Sequence, residues 1–155
     1  MVMMTKYLLD TNICISLIKN CYEIRNKVER IGADNCFVSE ITIAELFYGA
    51  AKSGKAKHYD DVKTIVELFK VISVYPSLRL FGELKATLEK AGKQLDNFDL
   101  MIGSTAIHNN MVMISSNTKH FERIPGIKLE DWCDNNKRFL LNEPEIQYGK
   151  NHRNC

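Results

Sequence analysis

Short apolar runs separated by segments of helical spacing are the feature that most restricts the fold. The runs are Tyr7–Leu9, Cys36–Val38, Val71–Val74, Met111–Ile114 and Ile127–Leu129. They are too short for helices and apolar at consecutive positions, which suits strands buried on both faces. The intervening segments carry apolar residues three and four positions apart. Ile13, Leu17 and Ile18 form one such stripe, and Tyr22–Ile31 forms a second helix stopped by Gly32. The spacing predicts a helix over Ile41–Lys52 with Ile43, Phe47, Ala50 and Ala51 inward. It predicts another over Ala56–Phe69 with Val62, Ile65, Val66 and Phe69 inward. Leu78, Phe81, Leu84 and Leu88 mark a long amphipathic helix ending near Gly92. Asp99–Asn109 forms a further helix, whose small residues suit close packing on a sheet. The alternation predicts a three-layer α/β/α sandwich around a central, mostly parallel sheet of four to five strands. Right-handed crossovers then set the polar strand ends along one edge. Ligands of such sheets sit at that carboxyl edge.

A chain of 155 residues suits one domain. Residues 1–132 carry the strand–helix pattern and form that domain. Residues 133–155 are polar, and only Phe139-Leu140-Leu141 offers an apolar anchor, so a loosely ordered tail is expected. The net charge of +2 neither announces nor excludes a nucleic-acid partner. The five cysteines show no zinc-site spacing, and reduced thiols in a cytosolic protein are expected. Met1–Lys6 lacks the features of a signal peptide, and no apolar run approaches the ~20 residues of a membrane helix, so a soluble cytoplasmic protein is expected. No nucleophile–base pattern and no glycine-rich phosphate loop is present.

The acids carry the chemistry. Asp10 ends the first strand, Glu45 lies in the first turns of the helix after the second, and Asp99 lies in the first turns of the helix before Met111. This topology brings them to one sheet edge, with Asn117 just beyond the strand ending at Ile114. Close carboxylates repel, and one is expected to take up a proton unless a cation intervenes. Oxygen-only ligands suit Mg²⁺ or Mn²⁺. Such an ion binds phosphodiester oxygens and acidifies water, and a pair of ions would lie about 3.5–4 Å apart. The competing account is helix capping. Asp10 and Asp96 suit N-caps, Thr42–Glu45 matches a capping box, and Asp99 complements a helix dipole. The sequence pattern leaves both accounts open.

Four ordered blocks resemble the PIN-domain toxins called VapC. They are Tyr7-Leu8-Leu9-Asp10-Thr11-Asn12, then Ser39–Leu46 with Tyr48-Gly49-Ala50, then Leu95–Gly103, then Ser115–Ile127 with Glu130-Asp131-Trp132. The resemblance implies a PIN-like fold and metal binding by Asp10, Glu45 and Asp99. It also implies Mg²⁺- or Mn²⁺-dependent endoribonuclease activity, dimerisation, and neutralisation by a small antitoxin whose tail lies over the active groove. Asn117 stands where many PIN domains have a fourth acid, and Gly103 and Ser104 stand where relatives usually carry alanine. Asp96 is an additional carboxylate, read as an auxiliary ligand or as a cap.

Thr11 and Asn12 are candidates for orienting a water or phosphate, and Ser115 for supporting the site. Lys119, His120 and Arg123 are candidate RNA contacts. The expected reaction is hydrolysis of RNA by metal-activated water, leaving a 5′-phosphate and a 3′-hydroxyl, with transfer RNA as a family-level substrate. The expected partner is an antitoxin that brings Arg or Lys to the acids. The rival function is a non-catalytic PIN-fold module acting through a partner protein, against which retention of the three acids argues. A receiver domain needs an acid after the third strand, where Tyr75-Pro76-Ser77 stands instead.

Overall fold

The computed structural model describes residues 4–133. The elements run β1 (Tyr7–Leu9), α1 (Thr11–Ile18), α2 (Ile24–Ile31), β2 (Cys36–Ser39), α3 (Glu40–Ser53), α4 (Ala56–Leu68), β3 (Lys70–Ile72), α5 (Leu78–Lys90), α6 (Asn97–His108), β4 (Val112–Ile114), α7 (Thr118–Phe121) and β5 (Leu129–Glu130). The five strands form one sheet in the order β3-β2-β1-β4-β5, and every pairing is parallel. The expected sandwich is therefore present, with its sheet wholly parallel.

Register explains how the strands share two cores. Leu8 pairs with Phe37 and Met113, while Leu9 pairs with Ile114. Successive side chains point to opposite faces. Leu9, Val38 and Ile114 pack with Ile13 and Leu17 of α1, Val28 of α2, Leu46 of α3 and Ile65 of α4. Leu8, Phe37 and Met113 pack with Leu84 and Leu88 of α5, Ile102 and Ala106 of α6, and Phe121 of α7. Strands buried on both faces are apolar at every position, as the runs indicated.

Several boundaries and faces differ from expectation. β3 ends at Ile72, short of Val74, and β5 is Leu129–Glu130, shifted from Ile127–Leu129. In α3 the inward residues are Thr42, Leu46 and Ala50, while Phe47 is 46% exposed. In α4 Val66 is 45% exposed although Val62 and Ile65 are buried. α3 is apolar nearly all round, so its periodicity does not single out one face. Cys14, Cys36 and Cys133 are free thiols, as expected, whereas Cys21 is disulfide-bonded, which corrects that expectation there. Cys155 and the Phe139-Leu140-Leu141 anchor lie outside the described residues. Among the described residues, no helix is long and apolar enough to cross a membrane.

α6 lies close to the loop after α7. A Cβ added at Gly103 would stand 2.6 Å from Ile124 Cδ1. Gly103→Val should lower stability by about 1–3 kcal/mol through overpacking, read as a lower urea midpoint. Gly103→Ala should cost less, because the Ile124 methyl can swing aside and alanine gains about 1 kcal/mol of helix propensity.

Candidate active site

Asp10 sits where β1, the central strand, gives way to α1. Its N–H still bonds to Ile114 O at 2.9 Å, so it remains in the sheet ladder. The side chain caps α1, with Oδ1 accepting from Thr11 N–H at 2.8 Å. Its Oδ2 accepts from the Ser115 hydroxyl at 3.0 Å. Asp10 is only 5% exposed, and burial pushes its pKa up to about 6. The two hydrogen bonds oppose that rise, and the charges of Asp99 and Glu45 add to it. Ser115 is buried, and its oxygen also accepts from Asn117 N–H at 3.0 Å, fixing the turn after β4.

Glu45 reaches the same place from α3. The capping box expected at Thr42–Glu45 is not formed. Ser39, at the end of β2, is the cap and accepts from Ile41 N–H at 2.9 Å. Glu45 therefore lies a turn further in, and its Oε1 accepts from the Thr11 hydroxyl at 2.7 Å. The same Thr11 oxygen lies 3.2 Å from Thr42 Oγ, which ties the start of α1 to α3. Burial raises the pKa of Glu45, Thr11 opposes this, and Asp99 and Asp96 add to it.

Asp99 stands in the first turn of α6, beside His120 of α7, with His120 Nε2 at 2.9 Å from Asp99 Oδ2. Burial raises the Asp99 pKa, His120 opposes the rise, and Asp96 adds to it. Asp96 caps α6, accepting from Phe98 N–H at 2.9 Å, and is exposed.

Burial raises the carboxyl pKa of Asp10, Glu45 and Asp99 alike; Asp99 adds to the rise at Asp10 and Glu45, Glu45 adds to it at Asp10, and Asp96 adds to it at Glu45 and Asp99. Among the described residues, however, no three His, Cys, Asp or Glu are close enough together to encage an ion. The donors are all oxygens, and their mutual repulsion is what a cation relieves. Mg²⁺ keeps several waters and takes one or two protein carboxylates, so an open acidic edge fits it better than a closed cage would.

The other candidates divide. Thr11 and Ser115 each bond an acid directly. Asn12 and Asn117 are exposed at the edge. His120 faces Asp99, whereas Lys119 and Arg123 are exposed and line a hollow with Gly92, Lys93 and Glu122. Thr42 and Ser39 were not singled out as site supports. Ser39 was legible as a strand-end cap residue, but the contact of Thr42 with Thr11 spans 31 residues and has no local signal.

The fold is a wholly parallel α/β sandwich with an acid group at its carboxyl edge. The PIN domain family model matches residues 7–127. The chain is 34% identical over 132 residues to the tRNA(fMet)-specific endonuclease VapC of Salmonella typhimurium, covering 84% of this chain and 100% of that one. It is 37% identical over 131 residues to Ribonuclease VapC2 of Rickettsia felis, covering 81% and 97%. The crystal structure of DNA-bound VapBC from Salmonella typhimurium superposes with a TM-score of 0.77 at 33% identity, covering 84% of this chain and 100% of that chain. The chain belongs to the PIN-domain family, among the VapC toxin ribonucleases.

The raised Asp10 pKa has a stability consequence. The folded state binds this proton more tightly than the unfolded chain, whose value is near 3.8. Stability from this group is therefore greatest below that value, declines as pH rises towards about 6, and is level above it. Asp10→Asn keeps an oxygen for Thr11 N–H and an amide for Ser115. The variant should be more stable than wild type by roughly 2–3 kcal/mol at pH 7.5, with the gap closing by pH 4. Urea denaturation at the two pH values measures it, and equal gaps at both would refute it.

Proposed function

We propose that this chain hydrolyses RNA with Mg²⁺ or Mn²⁺ held at the edge of Asp10, Glu45 and Asp99, some of them through the ion's water, with Asn117 at the rim. The carrying observation is three buried or half-buried acids brought to the carboxyl edge and each held by a neighbouring side chain, Asp10 by Ser115, Glu45 by Thr11 and Asp99 by His120. When bound, the ion supplies positive charge to the phosphodiester oxygens and acidifies water. The chain's own residues do the positioning. Ser115 and Thr11 N–H fix the Asp10 carboxylate, the Thr11 hydroxyl fixes Glu45, and His120 fixes Asp99. Water oxygen bonds to phosphorus as the P–O3′ bond breaks, and the departing 3′ oxygen takes a proton, leaving a 5′-phosphate and a 3′-hydroxyl. Asp96 serves chiefly as the α6 cap, and exposed Asn12 is free to meet a phosphate or water. Lys119 and Arg123 contact the RNA backbone.

Transfer RNA is the proposed substrate class, supported by the name of the Salmonella relative. The proposed regulator is a small antitoxin protein whose Arg or Lys pairs with the acids, acting on a homodimer in the cytoplasm. Residues 1–132 are proposed as the complete nuclease unit. The rival non-catalytic module gives no reason to keep three acids in an arrangement that penalises their charge.

EDTA and Asp99→Asn should each abolish cleavage of purified transfer RNA, and Mn²⁺ should restore the chelated enzyme. Undiminished cleavage in EDTA refutes the metal mechanism. Sequenced RNA ends after brief expression of wild type and Asp10→Ala identify the target. Thr11→Val preserves shape and removes the hydroxyl from Glu45. It should lower metal affinity or activity by about 10–100-fold, read by Mn²⁺ titration and cleavage rate.

A further inference from the structure

The acidic edge poses a problem for its own substrate, because a polyanion must be brought to a group of carboxylates. Cations beside the edge offset that repulsion. The structure supplies them in a hollow lined by Gly92, Lys93, Lys119, Glu122 and Arg123. One wall is α7 and its continuation, carrying Lys119 and Arg123. The other is the connection between α5 and α6, carrying Lys93. Arg123 Nη1 reaches across to Gln94 O at 3.4 Å, so the two walls face each other. Lys93, Lys119 and Arg123 are exposed, and none joins an ion pair among the described residues. Glu122 is the one acid in the lining.

Both walls lead directly to the acids. α7 also carries His120, which contacts Asp99, and the α5–α6 connection runs into Asp96 and α6. The hollow is therefore a flank of the same edge.

We infer that Lys93, Lys119 and Arg123 form a backbone-phosphate subsite, holding the RNA strand as it leaves the acidic edge. The inference rests on the proposed nuclease function and adds Lys93, the residue from the second wall. Its recognition is of phosphate charge and carries no base specificity.

The test is binding of a fluorescent twelve-nucleotide uridine RNA in EDTA, where the RNA stays intact, across a salt series. Each single-strand phosphate contact contributes about 0.7 to the slope of log K against log salt. The triple variant Lys93→Gln, Lys119→Gln, Arg123→Gln should flatten that slope by about 2, and Lys93→Gln alone by about 0.7. A control removing the same charge elsewhere, Lys57→Gln, Lys63→Gln, Lys70→Gln, should leave the slope at the wild-type value. With divalent metal present, the triple variant should raise KM for transfer RNA and leave kcat near wild type. A wild-type slope in the triple variant, or an equal flattening in the control, overturns the subsite even where cleavage is metal-dependent. A flattened slope in a protein that cleaves nothing upholds the subsite and removes the nuclease reading.

Discussion

The burial of one carboxylate governs this molecule. Asp10 ends the central strand of a wholly parallel sheet, and that place is dry because strands flank it on both sides and helices cover both faces. A carboxylate there is penalised for its charge, and the surrounding groups answer the penalty. Thr11 N–H and the Ser115 hydroxyl each donate to one of its oxygens. Those two donors come from the ends of adjacent strands, so the sheet register itself assembles the acid's environment. Glu45 and Asp99 add negative charge to the same region, which opposes stability and prepares the edge for a cation.

The sequence made the order of elements and the acidic edge legible because both are local. An apolar run ending in Asp10, and Asp99 in the first turn of a helix before the next run, need no knowledge of distant contacts. The pairings that hold the acids in place are long-range and were not legible. Thr11 meets Glu45 across 34 residues, and His120 meets Asp99 across 21. His120 had been set with Lys119 and Arg123 as a group facing RNA, because sequence neighbours in a short helix look alike. Within α7 His120 turns to Asp99 while Lys119 turns to the hollow, and Arg123, beyond the end of α7, lines that hollow with it. The inward face of α3 differs from expectation because apolar residues surround that helix and periodicity carries little information, whereas in α4 only Val66, next to buried Ile65, departs.

The start of α3 shows how local patterns compete. Thr42-Ile43-Ala44-Glu45 matches a capping box, yet Ser39 stands directly at the end of β2 and begins the helix three residues earlier. With Ser39 as cap, Thr42 and Glu45 are one turn further along and free to face α1. The shift gives Thr11 a partner in each of them. A helix started at Thr42 would have spent Glu45 on its own backbone and left the edge with one acid fewer.

Capping and catalysis are therefore not exclusive accounts of the same residues. A carboxylate has two oxygens and about four lone-pair positions. Asp10 uses one position on each oxygen for Thr11 and Ser115, so it can begin a helix and still offer electron pairs to a cation. Asp96 is different, since it is exposed and caps α6, while its charge still bears on Glu45 and Asp99. What separates the two is burial. A capping Asp at the surface keeps its charge in water at little cost, whereas a capping Asp at the buried end of a central strand keeps an unfavourable charge that no cap requires. That surplus, shared with Glu45 and Asp99, is what a cation at this edge would offset.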